Sequence, residues 1–428
     1  MNDEKKSAIY SCYARQILDS RATPTIETTV ILESGHRGTA SVPSGISVGK
    51  YEALELRDND PNHYNGLGVL KAVTHVNSLI AQAVKGMDVL NISEIDKSLI
   101  ALDGTPRKEK LGANAILSVS LASVVAASKY LNLPPYRYIN KLFSSLFPIQ
   151  IAKIPTPMFN MINGGKHGAG NLNFQEFHII PSSNKSYTEA LETAVEIYYA
   201  IRQILEYRNA IHSVGDEGGF APNLFTNADA FEIITEAIRA TPHQIGVDIF
   251  LGMDVAASTF KTDKGYAIKD RPAPFTTSEF VNYLADLHKK YHFLILEDPI
   301  DQDDTNGWKQ ITQLLGKEVL ILGDDLLASS STRLSEAMKE KYCLGIVLKP
   351  NQIGTTSELL STVLLAKKNN FKCVVAHRSG ETNDTLIADL AVGIQADFVK
   401  FGGPARGERI AKYNRLLEIE TEIKETQR

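Results

Sequence analysis

Six short apolar runs in the second half of the chain each stop on an ionisable residue. IFLGMD ends at Asp254, FLILE at Glu297, VLILGD at Asp324, CLGIVLK at Lys349, CVVAH at His377 and ADFVK at Lys400. Beyond Glu297 the intervals (297, 324, 349, 377, 400) are 27, 25, 28 and 23 residues. A strand, a helix and two loops occupy about that length. Repeated βα units in series build a parallel sheet. In a (β/α)8 barrel, the C-terminal ends of the strands converge on one mouth, where active sites are assembled. One acid after one strand reads most simply as the start of a polar loop. Six in succession point to a shared mouth.

Composition agrees with a soluble globular chain. Of 428 residues, 43% are hydrophobic and 22% charged, which supplies a large core. The net charge of −5 and pI of about 6.1 offer no basic footprint for nucleic acid. Three cysteines, Cys12, Cys343 and Cys373, form no C-x-x-C pair and read as reduced thiols. The opening MNDEKKSAIY lacks the apolar centre of a signal peptide. AILSVSLASVVAA, residues 115–127, is too short and serine-rich to span a bilayer. The expected setting is cytoplasmic, with no membrane and no nucleic acid as partners.

The first third has a different rhythm. TIETTVILESG, 25–35, alternates and ends in a Ser-Gly turn, which reads as a strand. Residues 66–90, 93–102 and 111–131 read as helices, the last so rich in Ala, Ser and Gly that close packing is expected. LNLPPYRYI, 131–139, breaks the pattern with two prolines. The chain therefore divides into an α+β N-terminal domain, 1–138, and a barrel domain, 139–428.

Asp254, Glu297 and Asp324 would bring three carboxylates together, where mutual repulsion raises their pKa unless a cation intervenes. Mg²⁺ suits a few carboxylates plus substrate oxygens, and no Cys/His cluster has zinc spacing. Lys349, His377, Arg378, Ser379 and Lys400 make the opposite side basic, which suits an anionic substrate between metal and cations. A lysine near Mg²⁺ and other cations has a lowered pKa and serves as a base. NGGKHGAGNLNFQEF, 163–177, adds His167 and Glu176, and HSVGDEGGFAPN, 212–223, adds Glu217. Paired glutamates can hold a proton or a water. GGKHGAG alone reads as a surface turn and is no P-loop. VPSGISVGKYEA, 42–53, reads as a mobile lid that supplies Ser47 on closing.

These stretches, with DSRATPT (19–25), LGANAILSVSLA (111–122), PTPMFNMINGGKH (155–167), LEDPI (296–300), LKPNQIGT (348–355), AHRSGET (376–382) and GPARGERIAKYNRLL (403–417), resemble the enolase family over nearly the whole length. A lysine base and Mg²⁺ stabilising an enolate is the known arrangement of that superfamily. The resemblance implies a barrel whose first strands depart from strict βα order, and reversible Mg²⁺-dependent dehydration of 2-phosphoglycerate to phosphoenolpyruvate. It makes Lys349 the base, Glu217 the acid with Glu176 beside it, and Lys400 the neutraliser of the substrate carboxylate. Asp254, Glu297 and Asp324 would hold one Mg²⁺, and Ser47 would serve a second. Arg378 and Ser379 would grip phosphate, and His167 and His377 would close around the substrate. It implies a homodimer or higher homo-oligomer.

Departures from the family pattern lie beside these stretches: Ile46 and Val48 in the lid, Thr259 after Asp254, LLASS (with Ala328) after the acidic pair, Phe401 after Lys400, and HGAG in the histidine loop. They leave three readings: an ordinary enolase with drift around the site, a paralogue retuned for a phosphonate or carboxyphosphoenolpyruvate-type substrate, and a non-catalytic binding protein. Retention of the base, acid and metal ligands favours the first.

Overall fold

The computed structural model describes residues 6–45, 49–168 and 170–426. Strands β1 (Ile9–Leu18), β2 (Pro24–Leu32) and β3 (Arg37–Ser41) form an antiparallel sheet in that order. The alternation in TIETTVIL becomes an alternation of burial along β2. The helical run expected at 66–90 begins at Leu70 and carries one π-turn, Val76–Ile80, before ending at Val84. Helices Ile92–Asp103 and Ala113–Tyr130 follow. The second is the small-residue helix, and it lies directly on the sheet. A Cβ on Gly38 would stand 2.2 Å from the Ala122 carbonyl oxygen, and Ser118 Oγ meets Thr28 Oγ1 at 2.6 Å. It is long and apolar enough to cross a membrane, but 78% of it is buried within the protein, so it is a core helix.

The prolines of LNLPPYRYI open a new helix. Pro134 is extended and Pro135 opens helix Pro135–Ser144, where a missing N–H costs nothing. Residues 138 and 139 lie inside this helix, which packs on helix Leu386–Gly393 through Asn140 Nδ2 donating to the Gly393 carbonyl at 2.9 Å.

The barrel begins with β4 (Thr156–Pro157) and β5 (Phe159–Asn163), interrupted only at Met158. It continues through β6 (Glu176–Pro181) and β7 (Ile249–Asp254); a short ribbon, β8 (Lys261–Thr262) and β9 (Gly265–Tyr266), stands outside it. Then come β10 (Phe293–Glu297), β11 (Leu320–Gly323), β12 (Gly345–Leu348), β13 (Lys372–Ala376) and β14 (Phe398–Lys400). β4 pairs with β14 while β5 pairs with β6, so the ladder returns on itself. From β7 to β14 every pairing is parallel, with helices Thr305–Leu315, Ser331–Glu340, Thr356–Lys368 and Leu386–Gly393 between successive strands from β10 onward. β6 alone runs against both neighbours. The interior is filled by Met158, Ile180, Ile295, Leu322, Val347, Val374 and Ala376, so the barrel is a packed core and not a pore.

Candidate active site at the barrel mouth

The reversal of β6 explains how a glutamate outside the βα series joins the others. Because β6 is antiparallel, its first residue lies at the end where its neighbours finish. In register, Glu176 faces Asp254, Asp254 faces Glu297, and Ala376 faces Lys400. A pocket at this mouth is lined by Glu176, Glu217, Asp254, Asp324, Lys349, His167, His377, Arg378, Ser379 and Lys400, among others. The strand-end residues expected to converge do so. Ser47, with Ile46 and Val48, lies outside the described residues.

Lys400, 1% exposed, organises the floor. Its Nζ donates to Glu297 Oε1 at 2.7 Å and to Glu176 Oε1 and Asp254 Oδ2 at 3.1 Å each. Burial opposes this ammonium, but the three carboxylates outweigh it and hold its pKa well above the usual value. Burial would also raise Glu176, yet Lys400, with the His178 Nε2 at 2.8 Å, keeps it well below. Glu297 is pushed well up, by burial and then by the charge of Asp254. Its Oε2 is buried without a hydrogen-bond partner.

The Nζ of Lys349 is paired with Asp324 Oδ2, and that charge outweighs burial and raises its pKa; the lowering expected of this lysine was for a site that also holds Mg²⁺. Asp324 is held below its usual range despite burial, chiefly by Lys349. Its other oxygen accepts from Gln352 Nε2 at 3.1 Å. Asp298 orients the loop: its two oxygens accept from the Asp324 and Asp325 N–H groups, each at 2.8 Å.

The expected trio of Asp254, Glu297 and Asp324 is not a tight metal cluster here, because Lys400 and Lys349 hold its oxygens. Among the described residues the compact groups are Glu176 with Glu217 and His377, and Asp298 with Asp324 and Asp325. The trio still fits a hard divalent cation: it is an all-carboxylate set, and the orphaned Glu297 Oε2 lacks any counter-group.

Across the pocket, burial and the charge of Glu176 push Glu217 up to about 8. It is thus a carboxylic acid at neutral pH. Asn163 and Asn160 amides approach its Oε2 at 3.4 and 3.5 Å. His167 and His377 Nε2 stand 3.8 and 3.9 Å from its Oε1. Burial lowers His167 to about 4, and burial followed by the Arg409 charge lowers His377 well below its usual value, so both rings are neutral. Of the histidine loop, His167 is buried and lines the pocket, while Lys166 and Gly170 are exposed.

Arg378 is engaged by Glu52, with Nη1 at 2.8 Å and Nη2 at 3.2 Å, both groups buried. Ser379 Oγ accepts from Arg21 Nη1 at 2.9 Å. Glu52, Arg21, His178, Arg409, Asn160 and Asn163 were missed by sequence reasoning. None ends an apolar run in the βα series, so no periodic signal marks them.

Two family models match the chain: "Enolase, N-terminal domain" over residues 9–139 and "Enolase, C-terminal TIM barrel domain" over residues 151–428. The chain belongs to the enolase family. An enolase of Ehrlichia canis (strain Jake) is 47% identical over 410 residues, which cover 96% of this chain and 95% of that one.

Seen from the mouth, the departures from the enolase pattern that fall on described residues are mild. Phe401 is fully buried and packs at a tilt against Tyr413, with centroids 6.0 Å apart, so it fills core and not pocket. Ser329, in the LLASS stretch, keeps a hydroxyl that accepts from the Lys349 N–H at 2.8 Å and donates to Gln352 Oε1 at 2.6 Å. Thr259 lines the pocket but spends its hydroxyl on the Ala256 carbonyl at 2.8 Å. Cys12, Cys343 and Cys373 are free and buried.

Proposed function

We propose that the protein catalyses the reversible, Mg²⁺-dependent dehydration of 2-phosphoglycerate to phosphoenolpyruvate. It is a hydro-lyase by family, a phosphopyruvate hydratase of glycolysis. The observation that carries the mechanistic reading is the different setting of two glutamates in one pocket: Glu176 accepts from Lys400 Nζ and lies against His178 Nε2, which favours its ionised form, while burial beside the Glu176 charge favours the protonated form of Glu217. Two carboxylates pushed apart in this way leave one of them able to donate a proton.

In this reading the C2 proton of the substrate is taken by Lys349, whose amine becomes free when Asp324 has another partner. Glu217 gives its proton to the departing C3 hydroxyl, with Glu176 beside it. Lys400 neutralises charge on the substrate carboxylate, Arg378 and Ser379 hold the phosphate, and His167 and His377 close the site. Asp254, Glu297 and Asp324 would hold Mg²⁺, and Ser47 would serve a second ion. Bound there, Mg²⁺ stabilises the negative charge that builds on the carboxylate as the proton leaves. We further propose that residues 1–138 cap the barrel, 139–428, and that the protein is cytoplasmic and at least a homodimer. Burial of Phe401 in the core takes that departure away from the pocket and weakens the retuned-paralogue reading.

The test is exchange of the C2 hydrogen of 2-phosphoglycerate with solvent deuterium. The parent exchanges it; Lys349→Ala abolishes exchange, since in this reading Lys349 is the group that takes the proton. Exchange retained at near the parent rate in that variant would remove Lys349 as the base.

A further inference from the structure

Arg409 touches none of the groups assigned above to proton transfer or metal binding, yet it is fully buried, in the first turn of helix Gly407–Thr426. Its guanidinium reaches four acceptors on two separate loops. Nη1 donates to His377 Nδ1 and to the Arg378 carbonyl, each at 2.7 Å. Nη2 donates to the Ser379 carbonyl at 2.7 Å and to the Asp216 carbonyl at 3.1 Å. One loop carries His377, Arg378 and Ser379; the other carries Glu217. Gly402 makes room for this crossing. Its φ is +90°, and a Cβ there would lie 2.3 Å from the Glu217 carbonyl oxygen and 3.0 Å from His377 Cε1.

A guanidinium has donors only and keeps its charge in proteins. His377 Nδ1 must therefore accept, and in a neutral ring the single N–H then sits on Nε2. That nitrogen is buried without a hydrogen-bond partner, on the pocket side, 3.9 Å from Glu217 Oε1. A buried donor left unmatched is costly, and such groups in native folds call for a functional explanation. An oxygen of the substrate beside Glu217 supplies the missing acceptor.

We propose that Arg409 is a positioning residue for the reaction. It fixes His377 as an Nε2–H donor aimed at the substrate, and it ties the loop bearing Glu217 to the loop bearing Arg378 and Ser379. This rests on the dehydratase reading above. The same contact keeps a positive charge beside the ring, so His377 is a constant donor and not a pH switch.

The experiment is ¹⁵N NMR of the full chain labelled at the histidine rings and loaded with Mg²⁺, without substrate. The expected result is a protonated Nε2 and a bare Nδ1 at His377 from pH 6 to 9. A proton on Nδ1 overturns the proposal. This measurement needs no turnover, so it judges Arg409 even if 2-phosphoglycerate proves not to be the substrate. In kinetics, Arg409→Met is expected to lower kcat by about tenfold or more, with KM less affected. Arg409→Lys, which can still donate to Nδ1, is expected to recover part of that loss. A Met variant that loses thermal stability but keeps kcat and its pH profile would make Arg409 merely structural. If that variant fails to fold, the tautomer in the parent protein decides.

Discussion

Glu217 is 3% exposed, and the energetic consequence of that burial can be measured. Its pKa of about 8 stands above the unfolded carboxylate value near 4.3. A raised acid pKa means the folded state holds a proton that the unfolded state releases. Stability from this group is complete below the unfolded pKa and is lost as pH climbs through the folded one. In Mg²⁺-free protein, Glu217→Gln should therefore gain in urea stability relative to the parent as pH rises from 5 to 8, and the difference should level off above about 8. A difference that stays flat across that range would show that Glu217 is already ionised. In turnover the same variant should lose on the order of a hundredfold in elimination, with C2 exchange less affected. What the sequence made legible at this scale were the residues that end apolar runs, because strand period and strand end are local signals. Arg409 and Glu52 were not legible. Each reaches the site from a distant segment, Arg409 to His377 from 32 residues away and Glu52 to Arg378 from 326.

Among the elements, the βα series from β10 to β14 was readable from spacing alone, since each unit repeats the same length. β6 was not. No local pattern announces that a strand runs backward, and its direction is set by its antiparallel pairing with both β5 and β7. That reversal brings Glu176 to the mouth. The prolines at 134 and 135 lie between the end of one helix at Tyr130 and the start of the next at Pro135, since a proline interrupts a helix interior but is well suited to a helix start. The departure at Phe401 belongs to this scale as well. The ring packs under helix Gly407–Thr426 against Tyr413. Phe401→Ala should cost about 3–5 kcal/mol of stability, as other buried phenylalanines do, while KM for 2-phosphoglycerate changes little. A large rise in KM without loss of stability would return Phe401 to the pocket and revive the retuned-paralogue reading.

At the scale of the whole molecule, Glu52 from the N-terminal third and the strand ends of the barrel line one charged pocket, and the proposed cation would complete its charge balance. Lys400 and Lys349 neutralise the carboxylates in part, but Glu297 Oε2 has no partner. A cation that binds the native state alone must raise the melting temperature with concentration, so Mg²⁺ should do so here, and Asp324→Asn should blunt the effect. The central claim is catalytic, and one assay tests it most directly. Purified protein is mixed with 2-phosphoglycerate and Mg²⁺, and the ultraviolet absorbance of phosphoenolpyruvate is followed. The account predicts turnover on the order of ten per second or faster, the ordinary range for enzymes, abolished by removing Mg²⁺. No turnover from folded protein with Mg²⁺ bound would contradict it.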